Sequence, residues 1–401
     1  MQTTRPEHEL LLWVSRRTLD SSIAELIRKL VMEDLDWDYL FEMADRHGVI
    51  PLLHYHLSAT CPDRIEREVM SRLREMNLEN TRRSFFLTNE LLKLMNLLEA
   101  EDIQAVPFKG PALAMCAYGD VGLRQFVDLD LLVHKPEVRA IRKLLVDRGF
   151  KPKFKLTTAQ EEALLRYDYV YDFGLGEPSE LWVEIHWGIV ARYFCFDLDF
   201  DRLWDRLRPV AIGNRQLATL SPEDLLLILC VHGSRHLWNR LGWICDIGCL
   251  LESHADIDWQ RLLTDATALG SRRMLSLGLL LASELLGTAI PDEVRQIAKT
   301  DRELRRLLDY LQEQLFAERK NRPGIFAKAL LHLRMRERRS DRVKSFARFV
   351  ANSTVYDWLF LPLPGWLFFL YYPLRPLRLA GKYGVRLLKG AEGREPSIDS
   401  R

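Results

Sequence analysis

Cysteine is scarce and scattered. Six residues (Cys61, Cys116, Cys195, Cys230, Cys245, Cys249) in 401 show no CxxC pairing, which removes a disulfide scaffold and the common zinc frameworks, and reads as reduced thiols in a cytoplasmic protein. Long apolar runs are also missing. The best candidate, Trp358 to Tyr372, is broken by Pro362 and Pro364 and falls short of the ~18 apolar residues of a spanning helix. No small-residue cleavage site follows the short apolar patch near the start, so no secretory signal is expected. Neither internal repeats nor low-complexity linkers are present, and 48% apolar with 28% charged residues is a globular composition, large enough for two or more cores.

The net charge of +1 is small, but it is unevenly spread. Residues 319–389 carry sixteen Lys/Arg against Glu337, Asp341 and Asp357, a net of +13, so the body from 1 to 318 carries −11. Such a basic part either meets an anionic surface or docks on its own acidic body.

Periodicity divides the chain into a helical region over 1–100, an α/β unit over 101–220, a helical region over 221–352 and an aromatic, basic tail over 353–401. Helices are expected over Ile23–Val31, Leu40–Met43 and Arg64–Leu98, with a helix at Pro136–Arg148 and another at Gly110–Tyr118. Short β-like runs at Ile103–Phe108, Leu129–Val133, Tyr167–Phe173 and Leu181–Trp187 predict a small mixed sheet. The fold class is therefore α+β.

Chemistry concentrates in two of these runs. In Asp128-Leu-Asp130-Leu-Leu-Val the two carboxylates, two residues apart on a strand, share one face while the leucines face the core. Paired carboxylates ionise at a cost unless a cation lies between them, and hard oxygen ligands suit Mg²⁺ or Mn²⁺. Trp182-Val-Glu184-Ile-His186-Trp repeats the alternation and supplies Glu184 as a third carboxylate, with His186 on its face. Lys109-Gly110, entering a helix, and Arg124 are candidate phosphate-binding groups. His232 and His236, four apart, share a helix face beside Trp238 and Arg240, either as packed histidines or facing a substrate. Asp199 or Asp201, in the rival run Asp197-Leu-Asp-Phe-Asp201, reads as a helix cap. Asp246 is expected beside a cation such as Arg235 or His236, and Trp243 in the core.

Taken in order, Lys109-Gly-x-Ala-Leu, Tyr118, Arg124, Asp128-x-Asp130-Leu-Leu-Val, Glu184-Ile-His-Trp, Ser221-Pro-Glu-Asp and His232-Gly-Ser-Arg-His236-x-Trp238 resemble the uncharacterised nucleotidyltransferase family, within the DNA polymerase β-like nucleotidyltransferase superfamily. The resemblance covers residues 85–290, with a weaker echo in Arg375-Pro-Leu-Arg-Leu. It implies a small mixed sheet bearing Asp128, Asp130 and Glu184 as catalytic metal ligands, Mg²⁺ or Mn²⁺ as cofactor, and transfer of a nucleoside monophosphate from a nucleoside triphosphate such as ATP to an unidentified hydroxyl or phosphate acceptor. One departure stands out. The superfamily's Gly-Ser turn is replaced by Lys109-Gly110-Pro111, which moves phosphate binding toward Lys109 and Arg124 and leaves a non-catalytic nucleotide-binding or interaction module of the same fold as the alternative. Nucleic acid is the least favoured partner, because no basic strand interleaved with aromatics is present. Residues 355–390 offer peripheral contact with the inner membrane face. Packing of the tail on the body is the preferred reading, since Trp358, Phe360, Trp366, Phe368 and Phe369 are many large apolar groups to leave in water.

Overall fold

The computed structural model describes residues 5–176, 180–317 and 323–388. The first four residues, the cations Arg319, Lys320 and Arg322, and the end of the basic tail from Lys389 lie outside the described residues.

Four short helices open the chain: α1 (Pro6–Val14), α2 (Ser21–Leu30), α3 (Trp37–His47) and α4 (Ile50–Thr60). Their limits follow from caps. Asp20 and Asp36 accept the backbone N–H groups of Ile23 and Tyr39, and Gly48, at φ 72°, ends α3 in the left-handed conformation that glycine adopts without strain. The long α5 (Arg67–Ala100) then runs to the sheet.

The sheet is built from β1 (Ala105–Pro107), β2 (Asp128–Val133), β3 (Lys151–Pro152), β4 (Val170–Leu175) and β5 (Leu181–His186), in the spatial order β1-β2-β5-β4-β3. β2 and β5 are parallel and the other pairs antiparallel, so the sheet is mixed. The short α6 (Gly110–Leu113), continued by one wider turn to Tyr118, links β1 to β2. α7 (Val138–Asp147) and α8 (Thr158–Tyr167), the latter closed by a Thr157/Gln160 capping box, flank β3. After α9 (Phe200–Trp204), whose cap is Asp199, a hairpin that periodicity did not announce, β6 (Arg208–Ile212) and β7 (Arg215–Thr219), turns at Gly213-Asn214. The Thr219 hydroxyl donates to the Pro107 carbonyl at 2.7 Å and fixes the hairpin to β1.

Helices fill the rest: α10 (Pro222–Arg235), capped by Ser221, α11 (Leu241–Ser253), α12 (Trp259–Ala268), α13 (Arg272–Leu286), α14 (Asp292–Thr300), α15 (Arg302–Leu315), α16 (Ile325–Met335), α17 (Arg339–Ala351), α18 (Val355–Phe360) and α19 (Tyr371–Leu388). The fold class is α+β.

Two hydrophobic clusters bracket the sheet. Leu129, Leu131, Val183, Ile185 and Phe173 pack with α5, α7 and α8 in one. Leu132, Val106 and Phe108 join the other, which runs through α1 to α4 and on into α10, α11, α13 and α15. β2 is thus buried on both sides, with Asp130 buried and only Asp128 partly exposed, and the site occupies the gap between the sheet and the larger helical body. The six cysteines are free thiols. Among the described residues no helix is long and apolar enough to cross a membrane.

Candidate active site

Register decides which side chains meet. In the parallel pair Asp130 lies opposite Glu184 and Leu132 opposite His186, and in the next, antiparallel pair Glu184 lies opposite Asp172. Directly paired residues on adjacent strands share a face. Asp128, Asp130, Glu184 and Asp172 therefore form a row of carboxylates across β2, β5 and β4.

The cations on this face are Lys109, His186 and Lys153. Lys109 Nζ donates to Asp130 Oδ1 at 2.8 Å, and His186 Nε2 lies 3.1 Å from the same oxygen and 3.2 Å from Glu184 Oε2. Lys153 Nζ holds Asp172 at 2.6 Å. Lys109 reaches the row because the chain turns sharply after it. Gly110 has φ +52°, and a Cβ there would stand 3.2 Å from the Asp128 carbonyl, so both conformation and close approach favour glycine.

Electrostatics separates the carboxylates. Burial, then the charges of Asp130 and Glu184, push Asp128 up to about 7. Burial also disfavours charge on Asp130, but Lys109 and the His186 hydrogen bond outweigh it and hold this carboxyl well below the usual range. Glu184 is drawn down by His186 against its own burial. For His186 and Lys109 burial opposes the charge, and the acidic partners overcome it and raise both values. Asp172, raised first by burial and then by Glu184, adds to the negative surplus.

The surplus is the test for a metal. One ligand atom each from Asp130, Glu184 and His186 lies within 4.8 Å of the others, and Asp128 next to them has no ion-pair partner among the described residues. Hard carboxylate oxygens with an uncompensated negative charge fit a small divalent cation. Lys109 and His186 hold Asp130 in the manner that an ion would.

Arg124 is turned away from this row. Its Nε and Nη2 donate to the two oxygens of Asp246 at 2.8 and 3.0 Å, and Tyr118 Oη donates to Asp246 Oδ1 at 2.8 Å. Asp246 thus pairs with Arg124 rather than with Arg235 or His236, an association across 122 residues. The buried trio ties the link before β2 to α11.

The end of α10 supplies a second wall. His232 and His236 lie 4.7 Å apart, and both rings meet Trp243, at 5.4 and 5.0 Å. Neither imidazole has a hydrogen-bond partner among the described residues. Burial, then the nearby Lys109 for His232 and Arg235 for His236, keep both well below the ordinary histidine value and neutral. Trp243 is half-buried and not sealed in the core. Trp238 corrects the substrate-facing expectation: it is fully buried against Gly233 and Gly278, where a Cβ would come within 2.6 and 2.9 Å of its ring, and presents no surface. Leu237 and Trp238 both have positive φ, 53° and 51°, strained for such residues and sustained here by the burial of the indole. Arg240, exposed, donates from Nε to the Arg46 carbonyl at 3.2 Å, near enough to Asp128 to feel its charge.

Asp172 and Lys153 escaped sequence reasoning, whereas Asp246 was expected beside a cation and only its partner, Arg124, was missed. Asp172 had a signal, the alternation Tyr171-Asp-Phe173 within a recognised strand; Lys153 had none.

Residues 33–287, well over half of the chain, match the model of the family described as uncharacterised nucleotidyltransferase, and the chain belongs to that family. The match begins in the N-terminal helices, upstream of the motifs that first suggested it. No curated protein matches the chain.

Proposed function

We propose that this chain is a metal-dependent nucleotidyltransferase of the DNA polymerase β-like superfamily, moving a nucleoside monophosphate from a nucleoside triphosphate to a hydroxyl or phosphate of an acceptor. The observation that carries the reading is the carboxylate row with its unneutralised Asp128. Asp128, Asp130 and Glu184 would hold Mg²⁺ or Mn²⁺, which when bound supplies the positive charge that a triphosphate and its departing pyrophosphate require.

The chain's own groups do the rest. Lys109, on Asp130 before substrate arrives, can transfer its hydrogen bond to a phosphate oxygen without leaving the site. His186 keeps Glu184 ionised and aimed. The neutral wall of His232, His236 and Trp243, near enough to Lys109 for the histidines to feel its charge, suits a planar base or a sugar better than a phosphate, since it offers ring faces and uncharged nitrogens. Arg124 acts as a positioning group, fixing the entry to β2 through Asp246. A cytoplasmic location is part of the same reading, because free thiols and a nucleoside triphosphate substrate belong together there.

The test is incubation of the full chain with each α-labelled nucleoside triphosphate, Mg²⁺ and a cell extract. Label passing to a protein, sugar or RNA in wild type but not in Asp130→Asn supports the enzyme. Nucleotide binding with no transfer under any acceptor would favour the non-catalytic module, for which the occupation of Asp130 by Lys109 and His186 is the favouring observation.

A further inference from the structure

Tail packing, expected from the sequence, describes only one side of the tail. Trp358 and Tyr371 are buried and Phe368 stacks on Trp358 with ring centroids 6.2 Å apart. Tyr371 Oη donates to the Leu361 carbonyl at 2.5 Å and accepts from Leu363 N at 3.0 Å, while Asp357 is held by Arg375 and, at 2.6 Å, by Arg378. These contacts fix a platform whose outer side is apolar: Phe360, Trp366 and Phe369 are 71%, 76% and 61% exposed. The adjoining α17 is tied to it through Arg375, whose Nε donates to the Phe349 carbonyl at 3.1 Å, and leaves Val343 and Phe346 69% and 60% exposed. Eleven of the nineteen large apolar side chains standing exposed among the described residues fall between Leu330 and Leu377. Scattered exposed apolar residues need no explanation, but a concentration of this kind does.

We propose that the outer side of α17 and of the 355–377 platform docks on an anionic lipid surface. Charge chooses this occupant. Arg339 shares a helix face with Val343 and Phe346, and Arg339 and the exposed Lys344 have no acidic partner among the described residues. They belong to the segment carrying +13. A second copy meeting the same face would set like charge against like charge, whereas anionic headgroups attract it and the aromatic rings enter the interface beneath them. Arg375 and Arg378 do not serve this attraction, being spent on Asp357.

The experiment is co-sedimentation of the full chain with phosphatidylcholine vesicles, with and without about a third of phosphatidylglycerol. Binding only to the anionic vesicles, weakening as salt rises, is expected. The triple variant Phe360→Ser/Trp366→Ser/Phe369→Ser should lose at least about tenfold in bound fraction with an unchanged melting temperature, and Arg339→Glu/Lys344→Glu should lose the salt-sensitive part. Three results would overturn the proposal: no binding by wild type, equal binding by wild type and triple variant, or a dimer by light scattering that the triple variant converts to monomer without any vesicle binding.

Discussion

Lys109 Nζ lies 2.8 Å from Asp130 Oδ1, the oxygen that His186 Nε2 also approaches at 3.1 Å, so two cations converge on one carboxylate and, among the described residues, none forms an ion pair with its neighbour Asp128. The two aspartates look equivalent in the sequence and should behave oppositely when neutralised. Asp130→Asn strips buried Lys109 of its ion-pair partner and leaves His186 with Glu184 alone, and should destabilise the fold by on the order of 3 kcal/mol. Asp128→Asn removes a charge that its surroundings disfavour and should be neutral or stabilising. Both should abolish transfer. Urea unfolding of the two variants gives the comparison, and equal losses would remove the charge asymmetry on which the site is read.

Metal removal follows from the same asymmetry. Mg²⁺ at ten times its dissociation constant should add about 1.4 kcal/mol of stability, through binding to the folded chain alone, and chelation should withdraw it. Asp128→Asn and Glu184→Gln should abolish the Mg²⁺-dependent rise in melting temperature. A rise that survives in both variants would put the ion elsewhere.

The buried trio offers a test of positioning. Asp246→Asn leaves the Arg124 guanidinium buried without its bidentate partner, and a loss of about 3–5 kcal/mol in chemical unfolding is expected. Tyr118→Phe, which removes one hydrogen bond to an already paired carboxylate, should cost only about 1.5–3 kcal/mol. If the order were reversed, Arg124 would not depend on Asp246.

How much of this was readable follows from the range of each interaction. Asp128, Asp130, Glu184 and His186 announced themselves through two-residue alternation, because a strand's faces are set within a few residues. The caps Ser221 and Asp199 were legible for the same reason. Arg124 was recognisable as important yet its partner was not, since nothing local connects it with a residue on α11. The hairpin β6–β7 hid in a run whose Arg-Pro-Val-Ala-Ile and Arg-Gln-Leu-Ala-Thr strands carry too few aromatic or β-branched residues to stand out, and its Gly213-Asn214 turn was the only signal. Trp238 sat inside a motif of candidate substrate residues, and only the packing of Gly233 and Gly278 against its ring marks it as core.

The neutral wall makes a prediction about bases. Trp243→Ala should weaken ATP binding about tenfold in calorimetry, as expected for one stacking contact, while leaving inorganic triphosphate binding within twofold of wild type. Lys109→Met should weaken both ligands alike. If Trp243→Ala reduced both equally, the ring would be supporting the phosphate site and not a base.

Histidines held neutral make stability depend on pH. Burial, partly offset by the hydrogen bond from its Nε2 to the Arg235 carbonyl at 2.9 Å, lowers His332 to about 4. The unfolded chain takes up a proton near the ordinary value of about 6.5 that the folded chain refuses, so this histidine's contribution is complete above that value and is lost as pH falls toward 4. One such group costs about 2 kcal/mol on going from pH 7.5 to pH 5. His232 and His236 act in the same direction. Asp128, raised to about 7, and Asp168, raised to about 6 by burial, act in the other: their contribution is present at low pH and lost as pH rises through those values. The net slope therefore mixes signs, and a variant isolates one term. His332→Gln retains a donor for the Arg235 carbonyl but cannot titrate, so it should lose about 2 kcal/mol less than wild type between pH 7.5 and 5 in urea unfolding. Parallel losses in the two chains would mean that His332 is protonated in the folded state.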